Sequence, residues 1–277
     1  MSEVKIAVIG GSGFYNFLEE CETITLTTPF GKTPKIEIGW IKDKKVAFLS
    51  RHSKPGSKTT GHNVPPHLIN YKANIYGLRK LGVERIIAVN SCGVINPEIS
   101  PGDIIVIDQF IDFTKKREGT FYDGKTAVEV SGKIIKKVVH VDLTEPFCPD
   151  MRRIFISELK RRKVNFKDKG VYLCTEGPRF ETPAEIVAFR KLGADLVGMT
   201  LCPEVILARE LAMCYVSCSI ATNLAAGLSD KKITLNEVLT LLEEKENLLK
   251  LILKSVIPKI PEKRECICKD SLKEYIN

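Results

Sequence analysis

The 277-residue sequence carries 42 Lys and Arg against 34 Asp and Glu, a formal net charge of +8, and 44% of its residues are hydrophobic. That length suits one large α/β domain, with no Gly/Ser or Pro-rich linker to divide it. The basic residues are dispersed or interleaved with Glu, as in KKREG, KRRK and EKRE, and no aromatic-interleaved basic stripe occurs, which reads as a solvated surface and no nucleic-acid partner.

The N-terminus, MSEVKIAVIGG, is already a strand entering a turn and not a signal peptide. No apolar run reaches membrane-spanning length, so a cytosolic chain with no membrane partner is expected. The first strand, VKIAVIG, runs into Gly10-Gly11-Ser12-Gly13. A dinucleotide-binding fingerprint requires a third glycine three positions after the second; that position holds Asn16, and the crossover helix is missing. The glycines either form a plain turn or let backbone amides and the Ser12 hydroxyl approach a small anion such as phosphate.

Strand KVAFLS delivers Arg51-His52 at its carboxyl end. The two are either a surface pair or a planar fork of donors beside an imidazole, a combination suited to phosphate oxygens. A loop holding His62 and His67 leads to the predicted helix INYKANIYGLRKLG. Strand RIIAVN then stops at Asn90-Ser91-Cys92-Gly93, and strand DIIVID follows the Pro101-Gly102 turn. Strands outnumber helices in this half, so the expected fold is a single α/β domain with a central mixed β-sheet flanked by helices.

KKVVHVD, bearing His140, reads as a strand, and MRRIFISELKRRK as a helix. Strand VYLCT leads to Glu181, held just before a capping box of Thr182 and Glu185 with Pro183 at the first helical position; Gly193 ends that helix. In Asp195–Asp230, the strands LVGM and YVSCSIA frame the helix PEVILARELAM. Ligands of open α/β sheets sit at the carboxyl ends of strands, so Met199-Thr200 and Thr222-Asn223 should share a crevice. Thr200 serves equally well as an ordinary helix N-cap. The last long helix starts at Thr234 and Glu237 and carries Val238, Leu241, Leu242, Leu248, Leu249 and Ile252 at helical spacing, a packing face and not a site.

Nine cysteines are too few for a disulfide scaffold, and Cys92, Cys174, Cys202, Cys214 and Cys218 lie in apolar runs typical of small core residues. Cys266 and Cys268 stand apart in KRECICKD. No further Cys or His lies nearby in sequence at ligand spacing, so no metal site is expected; a redox-active tail is the residual reading.

The ordered blocks GGSGF, RH, NSCG with SPGDIIVIDQFID, FYDG, EPFCP, EGPRFET, GMTLCPEV and ATNLAAG resemble the trimeric purine nucleoside phosphorylase and methylthioadenosine phosphorylase family, from Val4 to about Lys259. The resemblance implies a nucleoside phosphorylase domain over residues 1–260, a C-terminal tail over 261–277, and a homotrimer or dimer of trimers with sites near subunit boundaries. It implies a phosphate site of Ser12, Arg51, His52, Asn90, Ser91 and Thr200, with Met199 against the ribose. Glu181, Asn223, Leu224 and Ala225 would face the purine, with Asn223 as the catalytic donor to it. His62 matches a loop histidine, His140 a position that reaches into a neighbouring subunit's site, and the CxC pair is similar to that of archaeal members, where it can be oxidised.

Phosphorolysis of an N-glycosidic bond develops positive charge on the ribose and negative charge on the purine, and bound phosphate serves as nucleophile and counter-charge. No cofactor is implied; phosphate is a co-substrate beside the small-molecule nucleoside. The methylthioadenosine branch reads adenine with an Asp-x-Asp pair, where this chain has Asn223 and Ala225, and carries a small residue where this chain has Glu181. Both differences imply a 6-oxopurine. Leu235, aligned with a histidine that meets the 5′-hydroxyl in nucleoside phosphorylases, implies a 5′-methylthio group. The combined expectation is S-methyl-5′-thioinosine. Inosine or guanosine, methylthioadenosine, a nucleoside hydrolase and a non-catalytic nucleoside-binding protein are the alternatives.

Overall fold

The structure, a computed structural model, describes residues 3–15, 17–55, 61–230 and 232–276, so Asn16 lies outside the described residues. In chain order the elements of the first half are β1 (Ile6–Gly10), β2 (Cys21–Ile24), β3 (Thr27–Thr28), β4 (Gly31–Lys32), β5 (Ile36–Ile41), β6 (Lys44–Ser50), α1 (Tyr71–Lys80), β7 (Arg85–Val94), β8 (Ile104–Val106) and β9 (Gln109–Phe113). The second half comprises β10 (Val128–Val130), β11 (Lys133–Ile135), α2 (Pro149–Arg162), β12 (Phe166–Lys167), β13 (Val171–Thr175), α3 (Pro183–Lys191), β14 (Leu196–Gly198), α4 (Glu204–Glu210), β15 (Cys214–Leu224), α5 (Leu235–Val256) and α6 (Lys273–Ile276).

Eleven strands form one sheet, with the path β12-β8-β15-β7-β1-β6-β5-β2; β14 branches antiparallel from β7, and β13 joins β14 to β9. Parallel pairs (β1 with β6 and β7, β15 with β7) and antiparallel pairs (β5 with β6, β8 with β15) coexist, so the sheet is mixed as expected. Alternate residues of β1 serve two cores. Ile6 and Val8 pack with the α2 and α5 side, while Ala7 and Ile9 pack with the α1 and α4 side. Along α5, Leu242, Leu249, Ile252, Leu253 and Val256 are buried at helical spacing, each such side chain contributing about 1.5–3 kcal/mol.

Three local expectations change. KKVVHVD forms no strand: β10 and β11 instead pair across Ser131-Gly132, both at positive φ, and Val138 makes only an isolated bridge to Asp123. Exposed Lys136, Lys137 and Val138 have no sheet face to bury. Thr200 is not an N-cap, because α4 begins after Pro203 without any side-chain cap. The last strand also runs beyond Ala221 to Leu224, through an irregularity between Ala221 and Asn223 that interrupts its pairing with β7.

The C-terminal residues turn back onto the domain, where Cys268 and Leu272 are fully buried. Their arrival corrects the expectation that Cys266 and Cys268 lack neighbours: Cys148 and Cys214 converge on them in space, far apart though they are in sequence. Cys148 N–H donates to the Tyr215 carbonyl at 2.8 Å, which sets the start of α2 against the start of β15.

Candidate active site

The carboxyl ends of β1, β6, β7, β14 and β15 open on a cavity of about 280 Å³. Ser12, Arg51, His52, His62, Ser91, Glu181, Met199, Thr200, Asn223, Ala225 and Leu235, all named from sequence, lie on its wall. The predicted crevice between Met199-Thr200 and Thr222-Asn223 is this cavity. Asn90, Leu224 and His140 are not on that wall. Asn90 is buried behind Thr200, Leu224 packs partly into the core, and His140 is exposed on the loop after β11, where Tyr275 accepts its backbone N–H at 3.1 Å.

One end of the cavity gathers hydrogen-bond donors around a buried arginine. Gly11 has no room for a side chain, since a Cβ there would meet the Arg51 guanidinium at 2.9 Å. Arg51 is fully buried and locked: Nε and Nη2 each donate to Glu204 at 3.0 Å, and Nη1 donates to the Val89 carbonyl at 2.8 Å. Glu204 also accepts from the Tyr215 hydroxyl at 2.7 Å. Burial disfavours the charged guanidinium, and the Glu204 carboxylate outweighs it, holding the affinity of Arg51 for its proton above the ordinary arginine value.

Beside it, His52 and His62 stack with ring centroids 4.0 Å apart. His52 Nδ1 lies 2.8 Å from the Val64 carbonyl, an acceptor only, so Nδ1 carries the hydrogen and Nε2 of the neutral ring is an acceptor. Burial, then the neighbouring His62, press its pKa down to about 3. Ser12 Oγ and His62 Nδ1 are hydrogen-bonded at 2.9 Å, which joins two residues fifty positions apart. Asn90 Nδ2 donates to Thr200 Oγ1 at 2.9 Å, leaving the Thr200 hydroxyl hydrogen for another acceptor; Asn90 Oδ1 accepts from Ser217. Asn90 therefore fixes the Thr200 hydroxyl, which faces the cavity, without reaching the cavity wall itself.

The other end is built on the irregularity of β15. In a regular strand Thr222 and Asn223 would face opposite sides of the sheet; the bulge brings both onto the cavity wall. Asn223 Oδ1 accepts from the Thr222 hydroxyl at 2.9 Å, and Nδ2 donates to the Leu224 carbonyl at 2.8 Å. The second Nδ2 hydrogen is left as a donor. Gly93 lies opposite Asn223 in the β7 register, where a Cβ would approach Val197 Cγ1 at 3.3 Å and make ordinary contact with Asn223 Nδ2 at 3.5 Å. Glu181 accepts from the Thr175 hydroxyl at 2.7 Å, and burial pushes its carboxyl above the ordinary glutamate pKa. The predicted capping box of Thr182 and Glu185, with both reciprocal bonds present, fixes the chain immediately after it.

Two charged residues that matter here were not legible as such. Glu204 stands in the helical run PEVILARELAM with no local sign of its pairing with Arg51. Arg117, read as part of the solvated run KKREG, has a buried side chain that donates to the carbonyls of Met199 (2.8 Å), Cys202 (2.6 Å), Thr175 (3.0 Å) and Glu176 (2.7 Å). It thereby ties the segment carrying Met199 and Thr200 to the one leading to Glu181. The start of α5 is also more than packing surface, because Val238 joins Ile233 and Leu235 on the cavity wall.

The sequence model of the phosphorylase superfamily matches residues 5–258. A 6-oxopurine nucleoside phosphorylase of Pyrococcus furiosus is 52% identical over 271 residues, covering 97% of this chain and 98% of that protein. An S-methyl-5′-thioadenosine phosphorylase of the same organism is 48% identical over 270 residues, with 97% and 98% covered. Among solved structures, methylthioadenosine phosphorylase from Schistosoma mansoni in complex with adenine has a TM-score of 0.87 at 31% identity, covering 99% of this chain and 98% of that one. With a fold, a cavity and near-complete coverage in agreement, the chain belongs to the phosphorylase superfamily.

Proposed function

We propose that the chain catalyses phosphorolysis of 6-oxopurine nucleosides, with S-methyl-5′-thioinosine as its preferred substrate, yielding hypoxanthine and 5-methylthioribose 1-phosphate. The observation that carries this reading is the pairing, in one cavity, of an anion end (Ser12, Arg51, His52, Ser91, Thr200) with a base end (Glu181, Asn223, Ala225). Phosphate is the co-substrate and needs no further cofactor in this scheme. Hydrogenphosphate brings both acceptor oxygens and an O–H: the former suit Arg51, Thr200 and Ser91, and the latter suits the bare Nε2 of neutral His52.

At the base end, the spare Asn223 hydrogen donates to O6 or N7 of the purine as charge builds on the leaving group, and the Glu181 carboxylate accepts from N1–H. The Asn223 contact strengthens as the glycosidic bond breaks, which is where catalysis requires it, while the Glu181 contact selects a base that carries a hydrogen on N1. Buried Ala225 offers no acceptor to an adenine amino group. Leu235, Ile233 and Val238 give the remaining wall an apolar character that suits a methylthio group better than a hydroxyl. We place the working form as a homotrimer in the cytosol, with exposed His140 completing a neighbour's site. Among the described residues no helix is long and apolar enough to cross a membrane.

Inosine is the second reading, favoured by the 52% identity to a protein named only as a 6-oxopurine nucleoside phosphorylase. The test is a panel of methylthioinosine, methylthioadenosine, inosine, guanosine and adenosine, each with and without phosphate. We expect phosphate-dependent hypoxanthine release, fastest from methylthioinosine. Release without phosphate would indicate a hydrolase, binding without turnover a non-catalytic protein, and preference for methylthioadenosine a misassigned base end.

A further inference from the structure

Strand β13 pairs with β14 only as far as Cys174 and Gly198, and beyond that point the two chains carry opposite ends of the cavity: one leads through Thr175 and Glu176 to Glu181, the other through Met199 to Thr200. The ladder stops where the site begins. Arg117, on the loop after β9, fills the gap, its Nη2 donating to the carbonyls of Thr175 (3.0 Å) and Glu176 (2.7 Å) and its Nη1 to those of Met199 (2.8 Å) and Cys202 (2.6 Å). We propose that Arg117 is a positioning residue for turnover, which sets the spacing between the phosphate-holding and purine-holding ends while staying off the cavity wall itself. This role rests on the phosphorylase reading of the cavity.

Each end has its own lock, and Arg117 belongs to neither. Arg51 is held by Glu204 and the Thr200 hydroxyl by Asn90. Glu181 is held by the Thr175 hydroxyl and by the capping box that follows, and Asn223 by Thr222 and the Leu224 carbonyl. Among the described residues, the other links between the two chains past the ladder are weaker. The Thr175 hydroxyl, already donating to Glu181, lies 3.4 Å from the Gly198 carbonyl, and the Cys202 N–H meets the Cys174 sulfur, a poor acceptor, at 3.3 Å. A third piece of the wall joins the same hub: Arg117 Nη1 lies 3.1 Å from the Tyr71 hydroxyl, which donates to the carbonyl of Pro66 at 2.9 Å, and Pro66 lines the cavity.

The side chain of Arg117 is 2% exposed, so its charge must be met from within. Glu176 supplies the counter-charge 3.5 Å from Nε and is itself fixed by the backbone N–H groups of Lys115 and Lys116. A planar fork of five N–H donors can span carbonyls on two diverging chains; the ammonium of a lysine, with three donors on one atom, cannot. Phosphorolysis requires the phosphate oxygen, the anomeric carbon and the departing purine to be in line at one moment, whereas each ligand alone needs only its own end. A shift of about 1 Å between the ends should therefore cost turnover about 100-fold and leave each binding step little changed.

Steady-state kinetics of the full chain test this, with phosphate and the better of methylthioinosine and inosine varied in turn, well below the melting temperature. Arg117→Ala should keep the circular dichroism of the wild type, lower kcat by about 100-fold and hold both KM values within about threefold. Guanidinium chloride at non-denaturing concentration should restore its kcat by about fivefold or more by refilling the vacated fork, while urea at the same concentration should not. Where Arg117→Ala does not fold, Arg117→Lys carries the test, with kcat lowered by about tenfold or more at similar KM values. Wild-type kcat in a folded variant, a loss residing in one KM alone, or no rescue of folded Arg117→Ala by guanidinium would overturn the role of Arg117 and leave the phosphorylase reading standing. Absence of phosphate-dependent turnover by the wild type would overturn that reading, and this role with it.

Discussion

Arg51 and Glu204 meet through two hydrogen bonds of 3.0 Å with neither side chain open to solvent, and this pair sets the geometry of the cavity's anion end. Removing one member leaves a buried charge uncompensated, which typically costs about 3–5 kcal/mol, whereas replacing both by apolar residues of similar volume costs far less. We therefore expect Glu204→Ala and Arg51→Ala each to lower the melting temperature markedly, and Arg51→Met/Glu204→Leu to be the most stable of the three. Thermal and urea unfolding decide this. Both single variants should also raise the phosphate KM by about tenfold or more, Arg51→Ala by losing the donor and Glu204→Ala by letting it swing away. An unchanged phosphate KM in Arg51→Ala would remove it from the site.

His52 gives the fold an acid sensitivity of known sign. Its folded pKa, about 3, lies below the ordinary 6.5, so between these values the unfolded chain binds a proton that the folded chain refuses. This contribution to stability is fully present above pH 6.5 and is lost as pH falls toward 3. His52→Gln should flatten the pH dependence of unfolding in that window while changing little at pH 8. Parallel slopes for the two proteins from pH 6.5 down to 4 would show that His52 is not buried as a neutral ring.

Leu235 is 54% exposed at the first turn of α5, next to Ile233 and Val238 on the cavity wall. If it meets the 5′ end of the sugar, Leu235→His should shift the ratio of kcat/KM for inosine over methylthioinosine upward by about tenfold, equivalent to about 1.4 kcal/mol, for one gained polar contact. The position is exposed, so stability should hardly change. An unaltered ratio would send the 5′ group elsewhere.

How far the sequence could be read depended on whether a residue's role was local. Ser12, Arg51, His52 and Thr200 lie just past strand ends, with Ser91 three residues short of the end of β7, and a chain in an α/β sheet must bring such positions to one edge. The capping box at Thr182 was visible because its partners are three residues apart. Arg117 was invisible: nothing in KKREG distinguishes an arginine that will be buried under four carbonyls from its solvated neighbours. Glu204 and the convergence of Cys148 and Cys214 on the C-terminal cysteines depend on contacts across the fold, and no short-range pattern encodes them. The bulge at Ala221–Asn223 was hidden for a related reason. Period-2 alternation predicts that Thr222 and Asn223 face opposite sides, and only pairing with β7 shows that the alternation is interrupted.

That bulge frames the test of base recognition. Asn223 presents a hydrogen because Thr222 occupies its oxygen and the Leu224 carbonyl takes its other N–H. In Asn223→Asp, a carboxylate oxygen would confront the Leu224 carbonyl with no hydrogen between them, so the new acid should take up a proton and acquire a raised pKa. Its single hydrogen can serve the Leu224 carbonyl or N7 of the purine but not both, so donation to the base is weakened. Adding Ala225→Asp supplies an acceptor for the 6-amino group of adenine, although at a buried position where space must be made for it. Glu181 then becomes the obstacle, since its carboxylate would face the lone pair of unprotonated N1. The double variant should therefore lose most activity on methylthioinosine and gain little on methylthioadenosine, while Glu181→Ser added to it should raise methylthioadenosine turnover by an order of magnitude or more, about 1.4 kcal/mol per tenfold. Steady-state kinetics of both variants on both nucleosides are the measurement, with circular dichroism to confirm that each folds. Equal methylthioadenosine turnover by the double and triple variants would place Glu181 away from N1, and full methylthioinosine activity in the double variant would take Asn223 off the base.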